Sequence, residues 1–368
     1  MTLPLRPDLI GLEPYGAPQL NVPHRLNVNE NPYPPPAQVI DAVTNAVREV
    51  AAGLNRYPDR DFIGLRTELA HYLANESDAV GLDASHIWAA NGSNEVMLHM
   101  LQAYGGPGRT ALGFAPTYSM YPEYARDTLT QWVVGDREAD FTLDPERAAA
   151  TIRQVRPAVV LLASPNNPTG TALPIQTTRY LAEVTRTTGP DGGPSVLVID
   201  EAYAEFRRAG VPSALSLRPE FEHLAVARTM SKAFAYAGAR VGYLAAAPEL
   251  VDALRIVRLP YHLSAVTQAV ARAALKHADV LQQQVAAIRD GRDRCVAWLR
   301  DQGFHAVDSD ANFVLFGTFS DRQAVWQGLL DRGVLIRQTG PQQYLRVSIG
   351  TPDEMTAFEN ALKEVTGR

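Results

Sequence analysis

Hydrophobic positions divide the chain into three stretches of different periodicity. The first 36 residues are proline-rich and aperiodic, and they end in the run Asn31-Pro-Tyr-Pro-Pro-Pro36. Because such a segment cannot bury a core of its own, we expect residues 1–36 to form an arm that lies on the small domain or on a second subunit. Helical spacing begins after Pro36: apolar residues recur every three or four positions from Ile40 to Val50 and predict a helix with Gly53 as its C-cap.

A second helix is predicted from the same spacing between Phe62 and Leu73, and short apolar, β-branched runs then alternate with helical patterns or loops. The predicted strands are Ile87–Ala90, Ala111–Phe114, Trp132–Val134, Ala158–Ala163, Val196–Ile199, Leu224–Ala227 and Val241–Ala245. Continuous apolar strands separated by helices indicate a mostly parallel sheet between two helical layers. We therefore predict an α/β fold with a large domain over residues 37–255.

The last third of the chain has a different pattern. Helical stretches are predicted at 248–258, 264–277, 279–302, 321–332 and from 353 onward, with strands at Phe313–Phe316, Leu335–Arg337 and Tyr344–Ile349. Runs of helices followed by a few strands are typical of an α+β unit. We predict a smaller α+β domain over residues 256–368.

Composition narrows the class of protein. A net charge of −6 argues against nucleic acid or an anionic membrane as the main partner. No apolar run approaches the ~18 residues of a membrane span, and the N-terminal sequence lacks the pattern of a signal peptide. The single cysteine, Cys295, cannot form an internal disulfide, which favours a reducing, cytoplasmic location. The eight histidines show no metal-ligand spacing, so no metal site is expected.

The segment from Thr229 to Gly242 contains the first candidate for chemistry. Lys232 stands among small and apolar residues just after a predicted strand. Desolvation there would lower its pKa and favour the neutral, nucleophilic amine that condenses with an aldehyde. Ser231 and Arg240 could bind a phosphate; an ordinary surface loop is the alternative interpretation.

Three other loops follow predicted strands. One places the amide of Asn167 at a strand end, where open α/β sheets bind ligands. The next delivers Asp200 and Tyr203 to the same edge, although an aspartate there is often only a helix N-cap. The loop Asn91–Glu95 opens a helix, and its backbone N–H groups suit a phosphate or a plain capping turn. Together these groups match the requirements of a pyridoxal phosphate site: a lysine, an acid for the pyridine nitrogen, donors to the phenolic oxygen and an anion site.

The ordered set of loops resembles a known family. The loops are Asn91–Glu95, Pro116–Tyr121, Ser164–Gly170, Asp200–Tyr203 and Ser231–Arg240, and they are similar to those of the fold type I pyridoxal-phosphate-dependent aminotransferases. Within that family the chain resembles the histidinol-phosphate aminotransferases, through the stretches Leu26–Pro32, Asn55–Asp59, Arg258–Ser264 and Asp310–Val314. The resemblance extends from Tyr15 to the last helix, and it implies the large and small domains of that fold type.

The resemblance also implies roles for individual residues. Lys232 would bind the aldehyde of pyridoxal 5'-phosphate and act as base in the 1,3-proton shift, and Asp200 would pair with the pyridinium nitrogen. Tyr203 and Asn167 would bind the phenolic oxygen. The remaining cofactor residues are Tyr118, which would stack on the ring, and the phosphate ligands Ser93, Asn94, Ser231 and Arg240. Many relatives have an acidic residue where this chain has Ser93-Asn94; backbone donation to phosphate survives that change.

For the substrate, the resemblance implies a cradle that grips a phosphate ester. Arg346 matches the family's substrate arginine, and Arg337 lies on a neighbouring predicted strand; an ordinary surface position is the alternative interpretation of Arg337. Tyr15, Asn29 and a Tyr57 reaching across from a second subunit would complete the cradle, which implies an obligate homodimer.

The implied reaction is amino transfer from L-histidinol phosphate to 2-oxoglutarate, giving imidazole acetol phosphate and L-glutamate, in L-histidine biosynthesis. Two alternatives stay open from the sequence, and a third is disfavoured. An aromatic-amino-acid aminotransferase would share the cofactor residues, and a threonine-phosphate decarboxylase would use similar loops. A non-catalytic regulator would need a DNA-binding module, for which 368 residues leave no room.

Overall fold

The computed structural model describes residues 3–368 and contains twelve strands and eleven α-helices in that range. The strands are β1 His24–Arg25, β2 Ile87–Ala90, β3 Thr110–Ala115, β4 Gln131–Asp136, β5 Val159–Ala163, β6 Val196–Asp200, β7 Leu224–Thr229, β8 Gly242–Ala245, β9 His305–Ala306, β10 Phe313–Gly317, β11 Val334–Leu335 and β12 Leu345–Ser348. The helices are α1 Ala37–Ala51, α2 Ile63–Ser77, α3 Ser93–Tyr104, α4 Tyr121–Asp127, α5 Pro145–Val155, α6 Ile175–Thr185, α7 Pro248–Val257, α8 Ala265–Leu275, α9 Ala278–Asp301, α10 Arg322–Asp331 and α11 Pro352–Thr366.

A seven-stranded sheet forms the centre of the molecule, in the order β2-β8-β7-β6-β5-β3-β4. Strand β8 is antiparallel to both of its neighbours, and the other strands run parallel to one another. Strands β5, β6 and β7 are buried along their whole length, as continuous apolar strands covered on both faces should be. The predicted α/β fold with a mostly parallel sheet is therefore confirmed.

The C-terminal part contains a small antiparallel sheet in the order β12-β10-β9. The N-terminal arm is joined to it, because β1 pairs in parallel with β11 and the Ser348 N–H donates to the Leu26 carbonyl at 3.0 Å. Helix α8 packs on α1 and α2, so helices from both predicted domains share one layer. The predicted boundaries of the arm (1–36), the large domain (37–255) and the small domain (256–368) stay a prediction.

Helix α1 and the arm differ in detail from the sequence predictions. The helix ends at Ala51 with Ala52 as its C-cap, and Gly53 does not adopt the left-handed conformation of a C-cap glycine. Val39 is its one fully buried residue, whereas Ile40 is half exposed. The arm, predicted to be irregular, contains strand β1. Pairing with β11 supplies the hydrogen bonds that this segment cannot make within itself.

Within residues 3–368, no helix is both long enough and apolar enough to cross a bilayer.

Candidate active site

Polar side chains from separate strands of the large sheet meet at one cavity of about 280 Å³. Strand β5 leads to Asn167, β6 ends in Asp200, and β7 leads to Lys232. The carboxyl ends of parallel strands lie at one edge of a sheet, which is where open α/β sheets bind ligands. Every predicted site residue except Tyr57 lines this cavity: Tyr15, Asn29, Ser93, Asn94, Tyr118, Asn167, Asp200, Tyr203, Ser231, Lys232, Arg240, Arg337 and Arg346.

Lys232 places its amine inside the cavity. Its Nζ donates to the Val28 carbonyl of the arm at 3.0 Å. Burial, and after it the charge of the nearby Arg346 guanidinium, lower the pKa of Lys232 to about 8. About a tenth of the amine is therefore neutral, and so nucleophilic, at pH 7, far more than for an ordinary lysine.

Asp200 is a buried carboxylate held by two donors. Tyr121, at the start of α4, donates its hydroxyl to Oδ2 at 2.9 Å, and the Ala202 N–H donates to Oδ1 at 3.2 Å. Burial raises the pKa of Asp200 to about 6, while the Tyr121 hydrogen bond acts in the opposite direction. Such a carboxylate can stabilise a cationic ring nitrogen placed against it.

Tyr203 is held from the arm and from the C-terminal sheet. The Asn29 amide donates from Nδ2 to the Tyr203 hydroxyl at 3.0 Å. The Ser348 hydroxyl donates to Asn29 Oδ1 at 2.8 Å, which fixes the orientation of that amide. Because the Asn29 amide supplies the hydrogen, the Tyr203 hydroxyl keeps its own proton available for a ligand.

Asn167 and Arg346 connect the two sheets across the cavity. Arg346 Nη1 donates to Asn167 Oδ1 at 2.6 Å, and its Nη2 donates to the Asn27 carbonyl at 2.8 Å. With its oxygen engaged, Asn167 presents its NH₂ group as a donor. The buried Arg346 Nε has no hydrogen-bond partner among the described residues, so one donor of this guanidinium remains for an anion.

The loop before α3 forms an anion cradle with the segment after Lys232. Gly92 has φ +88°, and a Cβ built on it would lie 2.4 Å from Arg240 Nη2. A Cβ on Gly242 would overlap the backbone of Gly92 and Ser93, so close packing requires that glycine, whereas the positive φ favours glycine at position 92. Arg240 also donates to Ser231 Oγ at 3.3 Å. The N-terminus of α3 and the Arg240 guanidinium thus face one region of the cavity.

The two arginines predicted for the substrate lie side by side. Arg337 and Arg346 are a backbone-bonded antiparallel pair with both N–H···O distances at 3.0 Å, and both side chains line the cavity. Tyr15 lines the same wall and hydrogen-bonds Ser119 through its hydroxyl at 2.8 Å. Tyr57 lies outside the cavity of its own chain; it is 80% exposed and stacks on Tyr261 with ring centroids 4.5 Å apart.

The residues present fit pyridoxal 5'-phosphate. The anion cradle suits the phosphate of this cofactor. The buried amine of Lys232 suits its aldehyde, and the buried carboxylate of Asp200 suits its ring nitrogen. The individual assignments remain predictions. The sequence predictions gave no role to Tyr121, although it belongs to the segment Pro116–Tyr121. The available signal was its position, three residues after Tyr118 and at the start of a helix.

The comparisons with known proteins agree with this architecture. The model of the family "Aminotransferase class I and II" matches residues 23–362. A histidinol-phosphate aminotransferase of Thermobifida fusca is 57% identical over 366 residues, covering 100% of this chain and 96% of the relative. One of Bifidobacterium longum is 57% identical over 373 residues, covering 99% and 96%.

Two solved structures share the fold. A histidinol-phosphate aminotransferase from Sinorhizobium meliloti, in complex with pyridoxal-5'-phosphate, superimposes with a TM-score of 0.85 at 24% identity and covers 99% of this chain and 98% of its own. A Thermus thermophilus aspartate aminotransferase tetra mutant gives 0.81 at 24% identity and covers 98% and 99%. The fold is therefore that of a pyridoxal-phosphate-type aminotransferase. The chain belongs to the aminotransferase class I and II family.

Proposed function

We propose that the chain is a pyridoxal-5'-phosphate-dependent histidinol-phosphate aminotransferase, which converts L-histidinol phosphate and 2-oxoglutarate to imidazole acetol phosphate and L-glutamate in L-histidine biosynthesis. The observation that carries the proposal is the 57% identity to histidinol-phosphate aminotransferases along the whole chain. The lysine, the buried carboxylate and the anion cradle at one cavity support the same chemistry.

When bound, pyridoxal phosphate supplies an electron sink that stabilises the carbanion left when the substrate Cα loses its proton. Lys232 would be the base that holds and moves this proton, since its amine lies in the cavity and has a pKa of about 8. Asp200 would hold the proton on the ring nitrogen. Tyr203 and Asn167 would donate to the phenolic oxygen, and Tyr118 would pack on the ring.

Arg346 and Arg337 give the site its preference for a phosphate ester. Histidinol phosphate carries a dianionic phosphate where ordinary amino acids carry a carboxylate, and adjacent planar guanidiniums suit several oxyanion bonds at once. Burial lowers the pKa of Arg346, and the adjacent Arg337 cation lowers it too. An anion bound between these two side chains would offset both the desolvation of Arg346 and its repulsion by Arg337.

The test compares amino donors. Purified protein should be yellow and should transfer the amino group of histidinol phosphate to 2-oxoglutarate with a kcat/KM at least ~100-fold above that for phenylalanine. Equal use of the two donors would favour the aromatic-amino-acid aminotransferase instead. Absence of transfer from either donor would contradict the proposed function.

We further propose that the enzyme is a cytoplasmic homodimer in which Tyr57 enters the partner's site. Tyr57 stacks on Tyr261, and Leu54, Ile256 and Leu259, which are near these tyrosines in the sequence, are exposed apolar side chains as well. Exposed apolar groups of this kind favour burial against another protein surface. Light scattering should give twice the mass of the chain. Tyr57→Ala should raise the KM for histidinol phosphate and leave cofactor binding unchanged; an active monomer would contradict the arrangement.

A further inference from the structure

A buried group of charged side chains lies outside the cavity and against the two strands that lead to Asp200 and Lys232. We name it the Arg228 cluster, and its members are Arg228, Glu201, Glu76, Glu205 and Arg207, with the hydroxyls of Ser77 and Ser213. Neither Arg228 nor Glu201 lines the cavity. The proposed reaction therefore assigns these residues no contact with substrate or cofactor.

Arg228 is the centre of the cluster and is completely buried. Its Nε donates to Glu201 Oε2 at 3.0 Å, and its Nη2 lies 2.9 Å from the same oxygen. Its Nη1 donates to Glu76 Oε2 at 2.7 Å, and Nη2 also donates to the Ser77 hydroxyl at 2.8 Å. Each nitrogen of the guanidinium is thus engaged, which fixes the plane of the group.

Glu201 is held just as firmly at the other end of this ion pair. Its carboxylate accepts from the Ser213 hydroxyl and from the Ala214 N–H, both at 2.7 Å. Its own backbone N–H donates to the Ala227 carbonyl of β7 at 2.8 Å. The Arg228–Glu201 pair therefore spans β6 and β7 where both strands end.

The position of this pair in the chain relates it to the site. Asp200 immediately precedes Glu201, and Lys232 follows Arg228 by four residues. We propose that Arg228 is a positioning residue for transamination: by holding Glu201, it fixes the separation between the Asp200 carboxylate and the Lys232 amine. The inference rests on the roles given to those two residues in the proposed function.

Two physical arguments favour positioning over simple stabilisation. The cofactor is held at its ring nitrogen and at its aldehyde, so a displacement of one strand end by about 1 Å misaligns the reacting atoms, and such errors can cost ~100-fold in rate. A buried ion cluster contributes little net stability, because desolvation offsets the attraction between its charges. Its directional hydrogen bonds do, however, define one geometry.

The experiment compares Arg228→Met with Arg292→Met. Arg292 is an equally buried arginine on α9 whose hydrogen bonds go to the carbonyls of Phe206 and Ala311 and to Asp293, so its loss removes a buried guanidinium without touching Glu201. Three quantities are measured for each variant: urea stability, the pH midpoint of the visible absorption of the bound cofactor, and kcat and KM for the half-reaction with glutamate. The fourth measurement is the affinity of the apoprotein for pyridoxal phosphate and for 4'-deoxypyridoxine phosphate, which lacks the aldehyde.

We expect Arg228→Met to lower kcat about 100-fold with KM changed less than twofold, to move the pH midpoint, and to weaken pyridoxal phosphate more than the deoxy analogue. Arg228→Lys keeps one cation and should fall between wild type and Arg228→Met. Arg292→Met should lose stability but keep the kcat, the pH midpoint and the affinity ratio of wild type.

A purely structural role would give Arg228→Met and Arg292→Met the same kcat and the same pH midpoint, and this result would overturn the inference. If Arg228→Met fails to fold, Glu201→Gln replaces it, because this variant leaves Arg228 its contacts with Glu76 and Glu205. An unchanged kcat and pH midpoint in Glu201→Gln would then overturn the inference. Wild type that uses glutamate but not histidinol phosphate refutes only the proposed substrate, because the half-reaction tested here uses glutamate. Wild type that does not bind the cofactor at Lys232 refutes both.

Discussion

The two walls of the cavity are built differently. The cofactor wall, formed by Lys232, Asp200, Tyr203 and Asn167, stands on the ends of buried parallel strands, and each of these side chains has a hydrogen-bond partner from another element. On the substrate wall, Tyr15 belongs to the arm and is 46% exposed. Arg337 makes one long hydrogen bond, 3.4 Å, from Nη2 to the Gly16 carbonyl.

This difference indicates which half of the site is formed in advance. Strand ends in a packed sheet have little freedom to move, so the cofactor wall is preorganised for charge that develops during the reaction. The substrate wall is assembled from the arm, the small antiparallel sheet and, in our proposal, the partner subunit. Substitutions on the first wall should therefore act on kcat, and substitutions on the second should act on KM.

The largest effect is expected from Lys232→Ala. Loss of the general base should reduce transamination by ~10⁴-fold or more. Borohydride treatment of wild type should attach the cofactor to the peptide containing Lys232. The chain has only two other lysines, Lys276 and Lys363, both exposed. Lys276→Ala serves as control and should keep full activity; mass spectrometry that locates the label on Lys276 or Lys363 would refute the assignment.

The second-largest effect is expected from Asp200→Asn. An amide cannot stabilise the protonated ring nitrogen as a carboxylate does, so kcat should fall at least ~100-fold while much of the cofactor remains bound. The measurement is a single-turnover half-reaction with glutamate, together with the cofactor content of the purified variant. A decrease of less than tenfold would mean that Asp200 serves mainly to cap the turn through the Ala202 N–H.

The substrate wall should respond less and in a different parameter. Arg346→Ala and Arg337→Ala should each weaken histidinol phosphate by ~2 kcal/mol, or about 30-fold in KM, as the loss of charged hydrogen bonds does. Pyridoxal phosphate affinity should stay unchanged in Arg337→Ala and fall less than histidinol phosphate affinity in Arg346→Ala, which also loses the hydrogen bond to Asn167. Arg332→Ala, which removes an exposed arginine paired with Glu364, is the control. Unchanged kinetics in Arg337→Ala would remove that residue from the site.

The smallest effect is expected from Tyr121→Phe, which deletes one hydroxyl from the cofactor wall. The Tyr121 hydrogen bond lowers the pKa of Asp200, so its removal should raise that pKa above about 6. The acid limb of the kcat–pH profile should then move to higher pH, with kcat reduced several-fold at pH 6 and less at pH 8. Tyr180→Phe removes a hydroxyl–carboxylate bond to Glu146 outside the cavity and should leave the profile unchanged.

Much of the cofactor wall could be predicted from local sequence. Lys232, Asp200 and Asn167 each follow an apolar run that forms a buried strand, and the carboxyl ends of parallel strands meet at one edge. The roles of Arg346 and Arg337 were reached through the family resemblance. The C-cap of α1 was predicted wrongly, because a glycine after an apolar stripe permits a left-handed turn without requiring one, and the helix ends at Ala51 with Ala52 as its C-cap.

By itself, the sequence determined the order along the chain of the strands in the large sheet, the residues at their ends and the family, since each depends on short-range pattern or on ordered motifs. The two-residue strands β1 and β9 have no such pattern and were not predicted. Tertiary structure alone decided which groups orient those residues. Arg346 and Asn167 are 179 positions apart, and Asn29 and Ser348 are 319 apart, yet both pairs are within hydrogen-bond distance. The same holds for Arg228 and Glu76, 152 positions apart. No local pattern specifies such contacts, because they depend on how separate elements pack against one another.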